Sequence, residues 1–312
     1  MMRKAAPRTA ITERQNPRSR NLDQKSTREI LRVINREDAT VALAVQPEIP
    51  RIARAADEIA SRIRKGGRLF YIGAGTSGRL GVLDASECPP TFGVPKTLVQ
   101  GVIAGGKRAL TESVEGAEDH EKQGARDLRA RRMTSRDAVV GLAASGSTPY
   151  VLGALKYARK RGAFTIGVTM NRRAAIARLA HVTIAPTTGP EVIAGSTRMK
   201  AGTAQKMVLN MLSTTVMIRL GHVYDNWMVK MTKTNQKLRE RAVRNLREAT
   251  GAQVLTAEHA LRQAGDDLQV ALIILKAGLD ARRARLRLAA AHGNLRKALA
   301  SGNTVPATGA RK

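Results

Sequence analysis

The chain holds a single cysteine, Cys88, among 312 residues, so no intrachain disulfide can form and a reducing, cytoplasmic location is the default expectation. Phe, Trp and Tyr make up only 3% of it. The core must therefore come from Ala, Val, Leu, Ile and Met. No stretch interleaves aromatics with basic residues as single-strand nucleic-acid binders do. No apolar run approaches ~18 residues, so no membrane span and no membrane partner are expected. The basic N-terminus lacks the apolar centre of a secretory signal. The five His are scattered and no His/Cys/Asp/Glu cluster has ligand spacing, so no metal and no other cofactor are expected. Acid is scarce too: 25 Asp and Glu stand against 54 Lys and Arg, a formal charge of +29. Such a field attracts nucleic acid, anionic surfaces or phosphorylated ligands. The charges are spread along the chain, which suits a solvated basic surface; they fit an enzyme of phosphorylated ligands as well as a DNA binder, and no specific nucleic acid is expected.

What the chain does have is 43% hydrophobic residues, enough for a real core, and a change of period. Ser26 suits the cap of a helix through Ile30, Leu31, Val33 and Ile34, and a second helix covers about 47–64, ended by Lys65-Gly66-Gly67. Strand-length apolar runs follow at 68–72, 97–103, 138–143, 164–168 and 181–185. Helical patterns near 77–87, 107–131, 148–161 and 172–178 separate them. This alternation predicts an α/β fold with a five-stranded parallel sheet covered on both faces. Long helices are expected at about 200–220 and 232–248, then three short ones near 256–264, 268–277 and 280–290, with Thr256 and Asp280 as caps. The expected division is a flexible basic N-terminus over 1–25, a main domain over 26–250, a helical module over 251–301 and a loose tail over 302–312.

The chain is organised around 68–90. An apolar strand runs into Gly73-Ala74-Gly75-Thr76-Ser77-Gly78, a helix follows, and Glu87 stands just before a Pro89-Pro90 stop. The glycines match a dinucleotide pattern, but no acid ends the second strand to hold a ribose. Hydroxyls at Thr76 and Ser77 point instead to phosphate at a helix start. A second hydroxyl loop, Ser145-Gly146-Ser147-Thr148, follows the third strand. Taken alone it is an ordinary helix cap. Two such loops at equivalent strand ends make a phosphomonoester clasp. A lone Glu on a helix is ordinarily a solvated charge, yet Glu87, Glu115, Glu118, Asp119 and Glu191 all fall in or after these loops and are the candidates for chemistry.

Three segments carry a resemblance. Gly73–Gly93, Val114–Asp119, and Glu191-Val-Ile-Ala-Gly-Ser-Thr-Arg-Met-Lys-Ala-Gly-Thr-Ala-Gln-Lys206 closely resemble the N-acetylmuramic acid 6-phosphate etherases, relatives of the glucokinase regulatory proteins. The likeness runs from about Asn21 to about Leu299. It implies the three-layer α/β/α sugar-isomerase (SIS) fold, a small three-helix, ubiquitin-associated-like module at the C-terminus, and a homodimer with active sites near the interface. It implies cleavage of the D-lactyl ether of N-acetylmuramic acid 6-phosphate by elimination and hydration. The motif places the acid at Glu87 and the water-activating base at Glu118, with Glu115 in support. One carboxyl of such a pair must hold a proton as lactate leaves, which calls for burial or a neighbouring like charge. Gly75, Thr76, Ser77, Ser145, Ser147, Thr148, Glu191 and Ser196 are the implied substrate contacts.

The chain departs from the family at Ser147, where Arg is usual, and at Lys230, where Asp is common. Two other readings share the pocket: a non-catalytic phosphosugar sensor that binds protein or DNA, and an aldose–ketose isomerase of the same fold.

Overall fold

The computed structural model describes residues 11–230 and 236–300, except for the side chains of 236–238. The expected looseness of residues 1–10 and of the tail from 302 lies outside the described residues. Residues 11–24, expected to belong to a flexible arm, are short helical turns tied to the body. Asn16 Nδ2 donates to the Pro190 carbonyl at 3.2 Å and Ser19 Oγ to the Val192 carbonyl at 2.7 Å.

By its internal contacts the chain forms two compact units: residues 1–86 with 96–215, and 87–95 with 216–312. In the first, α1 (Thr27–Asp38) opens with a capping box, Ser26 and Glu29 each accepting from the other's backbone N–H. Such a cap stabilises by about 1 kcal/mol. The short α2 (Val41–Val45) leads to α3 (Ile49–Arg64), whose Ile52, Ala55, Ala56, Ile59 and Ala60 recur at helical spacing and are buried. Gly66, at φ +80°, stops it as expected.

The sheet follows: β1 (Leu69–Gly73), then α4 (Gly75–Phe92), β2 (Val99–Ile103), α5 (Glu121–Ala130), β3 (Ala138–Leu142), α6 (Pro149–Lys160), β4 (Phe164–Val168) and β5 (Val182–Ile184). All five strands are parallel, in the order β2-β1-β3-β4-β5. β1, β3 and β4 are buried at every position, as a sheet covered on both faces requires. One layer of core packs Phe70, Ile72 and Val139 against Tyr150, Val151 and Leu155 of α6. Asp137 latches the amino end of the sheet, accepting from the N–H groups of Arg68 at 2.8 Å and Thr134 at 2.7 Å. The unit closes with α7 (Lys200–Arg219), whose last residues, from Val216, are grouped with the second unit.

Three expectations are corrected. Pro89 and Pro90 do not end α4, which runs to Phe92, with Gly93 N–H donating to the Pro89 carbonyl at 2.9 Å. Ala85, Cys88 and Phe92 share one face and are buried, and their packing outweighs two missing donors. The stretch 107–131 is helical only over α5, after short turns at 106–110 and 117–119. The pattern at 172–178 yields one turn, Ala175–Arg178.

The second unit has a two-strand hairpin, β6 (Val223–Tyr224) and β7 (Trp227–Met228), that periodicity did not predict. It adds α8 (Gln236–Thr250), α9 (Val254–Gln263), α10 (Leu268–Ala277), α11 (Ala281–Ala290) and α12 (Leu295–Ala300). The three expected short helices are there, and a short fourth follows them. They share one core around Leu246, Leu261, Leu272 and Leu295. Asp280 caps α11 by accepting from the Arg283 N–H. Thr256 is no cap: α9 begins two residues earlier, after an extended Gln253.

Candidate active site

Gly73, the end of β1, lies directly beside Leu142, the end of β3, while β2 lies on the other side of β1. The connections from β1 and β3 thus depart in opposite directions, and open parallel sheets bind ligands beyond such a switch point. Both hydroxyl loops leave from here.

The first loop is tight because of Gly73 and Gly78. A Cβ on Gly78 would stand 2.8 Å from the Gly73 carbonyl oxygen and 2.6 Å from Ile103 Cγ1. Gly75 takes φ +51° and opens α4, so the unpaired N–H groups of the first helical turn begin at the strand end. Thr76 is half-buried and Ser77 nearly buried. In the second loop Ser147 donates to Ser145 Oγ through its hydroxyl at 3.0 Å and its N–H at 3.3 Å. Thr148 occupies the cap position of α6 without a capping bond from its hydroxyl. Thr169 braces the loop by donating to the Ala144 carbonyl at 3.1 Å.

Glu191 is buried and serves α7. Its Oε2 accepts from the Lys200 N–H at 3.0 Å and its Oε1 from the Ala201 N–H at 2.8 Å. Burial pushes its carboxyl up, and those two N–H groups and the Lys200 charge oppose the rise. Ser196 is half-buried in the same loop, its N–H donating to the Ile193 carbonyl at 3.0 Å. The Lys200 ammonium turns the other way, to Glu37 Oε2 at 2.6 Å. Glu37 also accepts from Asn16 at 2.8 Å and Arg18 at 3.1 Å. Burial opposes ionisation of Glu37, but these donors prevail and hold its carboxyl below the usual range.

The two proposed catalytic carboxylates are exposed in the single chain. Glu118 sits on the turn 117–119, whose Ala117 packs on the core. Arg79, in the first turns of α4, donates to the carbonyls of Glu112 at 2.8 Å and Leu110 at 3.3 Å and so ties the segment before Glu118 to the phosphate-loop helix. Glu115 accepts from Ser113 Oγ at 2.5 Å. Glu87 lies on α4 between Ser86 and buried Cys88, in the part grouped with the second unit. Gly75, Thr76, Ser77, Glu118, Ser145, Ser147, Thr148, Glu191 and Ser196 belong to the first unit.

One residue of this site escaped sequence reading. Ser77 Oγ donates to Gln205 Oε1 at 2.8 Å, both groups buried. α7 packs beside this loop at Gly202, where an added Cβ would make an ordinary 3.5 Å contact with Thr76 Cγ2. The available signal was an amide flanked by the small apolar residues Ala201, Ala204 and Val208 on the buried face of a helix.

Comparison with known proteins agrees with this geometry. Residues 51–159 match the glucokinase regulatory protein N-terminal SIS domain, and residues 109–215 match the SIS domain. A structure from Bacteroides fragilis NCTC 9343, described as a phosphosugar isomerase involved in capsule formation, aligns with a TM-score of 0.51 at 18% identity. It covers 66% of this chain and 98% of its own, and it shows the fold alone. N-acetylmuramic acid 6-phosphate etherase from Symbiobacterium thermophilum is 58% identical over 269 residues, 86% of this chain and 89% of its own. That from Clostridium beijerinckii is 52% identical over 288 residues, 92% and 95% of the two chains. That from Enterobacter sp. (strain 638) is 52% identical over 289 residues, 93% and 97%. With likeness of this depth along nearly the whole length, and with the SIS fold beneath it, the chain belongs to the N-acetylmuramic acid 6-phosphate etherase family.

Proposed function

We propose that this chain cleaves the D-lactyl ether of N-acetylmuramic acid 6-phosphate, giving N-acetylglucosamine 6-phosphate and D-lactate in the recycling of cell-wall sugars. The observation that carries the reading is identity of 52–58% with etherases along nearly their full lengths. Two hydroxyl loops flanking one switch point support the phosphate end of it. The regulatory alternative is not favoured, since the full-length relatives bear an enzyme's name.

The chemistry we propose starts from the open-chain aldehyde, which acidifies the proton on C2. A base removes that proton, C2 and C3 become doubly bonded, and the C3–O bond breaks. The departing lactate oxygen takes a proton from Glu87. Water then adds to C3, giving its proton to Glu118; C2 regains a proton from the base, and proton exchange with solvent returns Glu118 to its ionised form and Glu87 to its protonated one. The sum is sugar ether plus water to alcohol plus lactate. Ser77, Ser145, Ser147 and Thr148 hold the phosphate with neutral donors and the first-turn N–H groups of α4.

Glu87 and Glu118 are exposed in one chain, and general acid–base chemistry is most efficient where water is excluded. This favours a homodimer in which a second copy covers both carboxylates. Light scattering of the purified protein tests that assembly. No described helix is long and apolar enough to cross a membrane. A cytoplasmic enzyme, fed by phosphorylated sugar made or imported there, is the placement we propose. The decisive experiment mixes folded protein with N-acetylmuramic acid 6-phosphate and follows D-lactate. Its release is the expected result, and none from folded protein refutes the function.

A further inference from the structure

A hydroxyl has one proton, and in this structure Ser77 gives it to Gln205. Ser77 Oγ donates to Gln205 Oε1 at 2.8 Å, inside the contact between α4 and α7. With that proton committed, Ser77 faces a phosphate with lone pairs alone, which repel it. Gln205 is 1% exposed, and its Nε2 has no hydrogen-bond partner among the described residues. A buried unpaired N–H is rarer and costlier than an under-used carbonyl oxygen.

The two ends of an amide have the same shape, and a half-turn about its last torsion exchanges them. After that exchange Gln205 Nε2 donates to Ser77 Oγ, and the carbonyl oxygen takes the position without a partner. The Ser77 proton is then released toward the switch point. The result is a donor chain running from amide to hydroxyl to phosphate, in which each bond strengthens the next. One rotation therefore removes the buried unpaired N–H and gives the phosphate its donor.

We infer that Gln205 is a positioning residue for the substrate phosphate: with phosphate bound, its amide is turned so that Nε2 donates to Ser77 Oγ and so aims the Ser77 hydroxyl proton at the ligand. This rests on the reading that Ser77 contacts phosphate. The α7 helix carries the device because it lies against the start of α4, with Gly202 beside Thr76 and Gln205 bonded to Ser77. Gln205 touches no reacting atom, so its effect falls on phosphate affinity and not on bond breaking.

Three variants separate this role from a purely structural one. Gln205→Glu keeps the shape and the bond from Ser77 but, when ionised, can only accept. It locks the Ser77 proton inward. Gln205→Leu breaks the bond and leaves that proton free. The inference expects KM for N-acetylmuramic acid 6-phosphate, and Ki for inorganic phosphate, to rise at least ~10-fold with Gln205→Glu, the loss of one charge-assisted hydrogen bond. Gln205→Leu should raise them by less, with kcat nearly unchanged in both. A structural tie predicts the reverse order, because only Leu cuts the link. Measured against wild type at each pH, the Glu variant should recover affinity as acid protonates the new carboxyl and restores a donor.

Ser77→Ala completes the cycle. In its background the Glu and Leu variants should differ only by the repulsion of the added charge. If Ser77→Ala leaves KM and Ki unchanged, the phosphate reading of Ser77 fails and the inference with it. If Ser77→Ala raises them but Gln205→Glu acts no more strongly than Gln205→Leu, the inference alone fails. Should the Glu variant not fold, Gln205→Leu decides with Ser77→Ala. A KM effect that vanishes in the Ala background supports the device, and a loss of thermal midpoint without one overturns it.

Discussion

The Lys200 ammonium donates to Glu37 Oε2 at 2.6 Å, with both side chains almost fully enclosed. Lys200 opens α7 and Glu37 lies near the end of α1, so one ion pair joins α1 to the start of α7, whose first N–H groups Glu191 accepts. Asn16 and Arg18 complete the carboxylate's partners, which is why an enclosed charge is tolerated here.

Removing one partner leaves the other charge buried. Lys200→Met or Glu37→Gln is expected to cost about 3–5 kcal/mol, the usual size for breaking an enclosed pair. Replacing both with apolar residues should cost less than either alone. Urea unfolding of the four proteins checks this, and an additive double variant would count against the coupling.

Glu87→Gln and Glu118→Gln are each expected to lower turnover of N-acetylmuramic acid 6-phosphate at least ~10²-fold, the lower end for an acid–base contribution. Folding should be unaffected, because both side chains are exposed. Unchanged turnover in either variant would remove that residue from the mechanism.

Gly78→Ala is expected to destabilise by about 1–3 kcal/mol, the ordinary cost of overfilling a packed site. The new methyl meets the Gly73 carbonyl oxygen and Ile103, and the loop must open to admit it. A lower thermal midpoint together with a raised KM is the expected pair of results. A lower midpoint with unaltered KM would separate this turn from phosphate binding.

His222 donates from Nδ1 to the Phe92 carbonyl at 2.9 Å. Burial, and then the nearby Lys230 charge, push its pKa down from 6.5 to about 4, against the pull of that carbonyl. The folded state thus keeps His222 neutral while the unfolded chain binds a proton. Stability is full above pH 6.5 and falls as pH drops toward about 4, by something on the order of 2–3 kcal/mol. Urea unfolding followed by Trp227, the single tryptophan and a member of the same unit, should show this acid slope. His222→Gln should flatten it.

Much of the sheet was legible because each strand is a short apolar run bounded by glycine or polar residues, and tertiary context had nothing to overrule. The hydroxyl loops were legible for the same reason: Thr76, Ser77, Ser145 and Thr148 sit at strand ends that the alternation locates. Pro89-Pro90 misled, since a local rule about missing donors says nothing of Cys88 and Phe92 packing around them. The stretch 107–131 misled because Arg79 claims the carbonyls of Leu110 and Glu112, which a continuous helix would use. Nothing in the sequence singled out Glu37. Its partner stands 163 residues away, and no window of sequence shows both.

The docking of residues 11–24 has a kinetic side. Asn16 meets Pro190, and Ser19 meets Val192, across 174 and 173 residues of chain. Glu37 cannot be neutralised by Lys200 until α7 has formed. The residues synthesised early must therefore wait for much later ones before they settle, and contacts of such separation form slowly. During synthesis and refolding, closure of this arm over the loop at 190–195 belongs among the late events, and the first unit completes itself by capturing its own beginning.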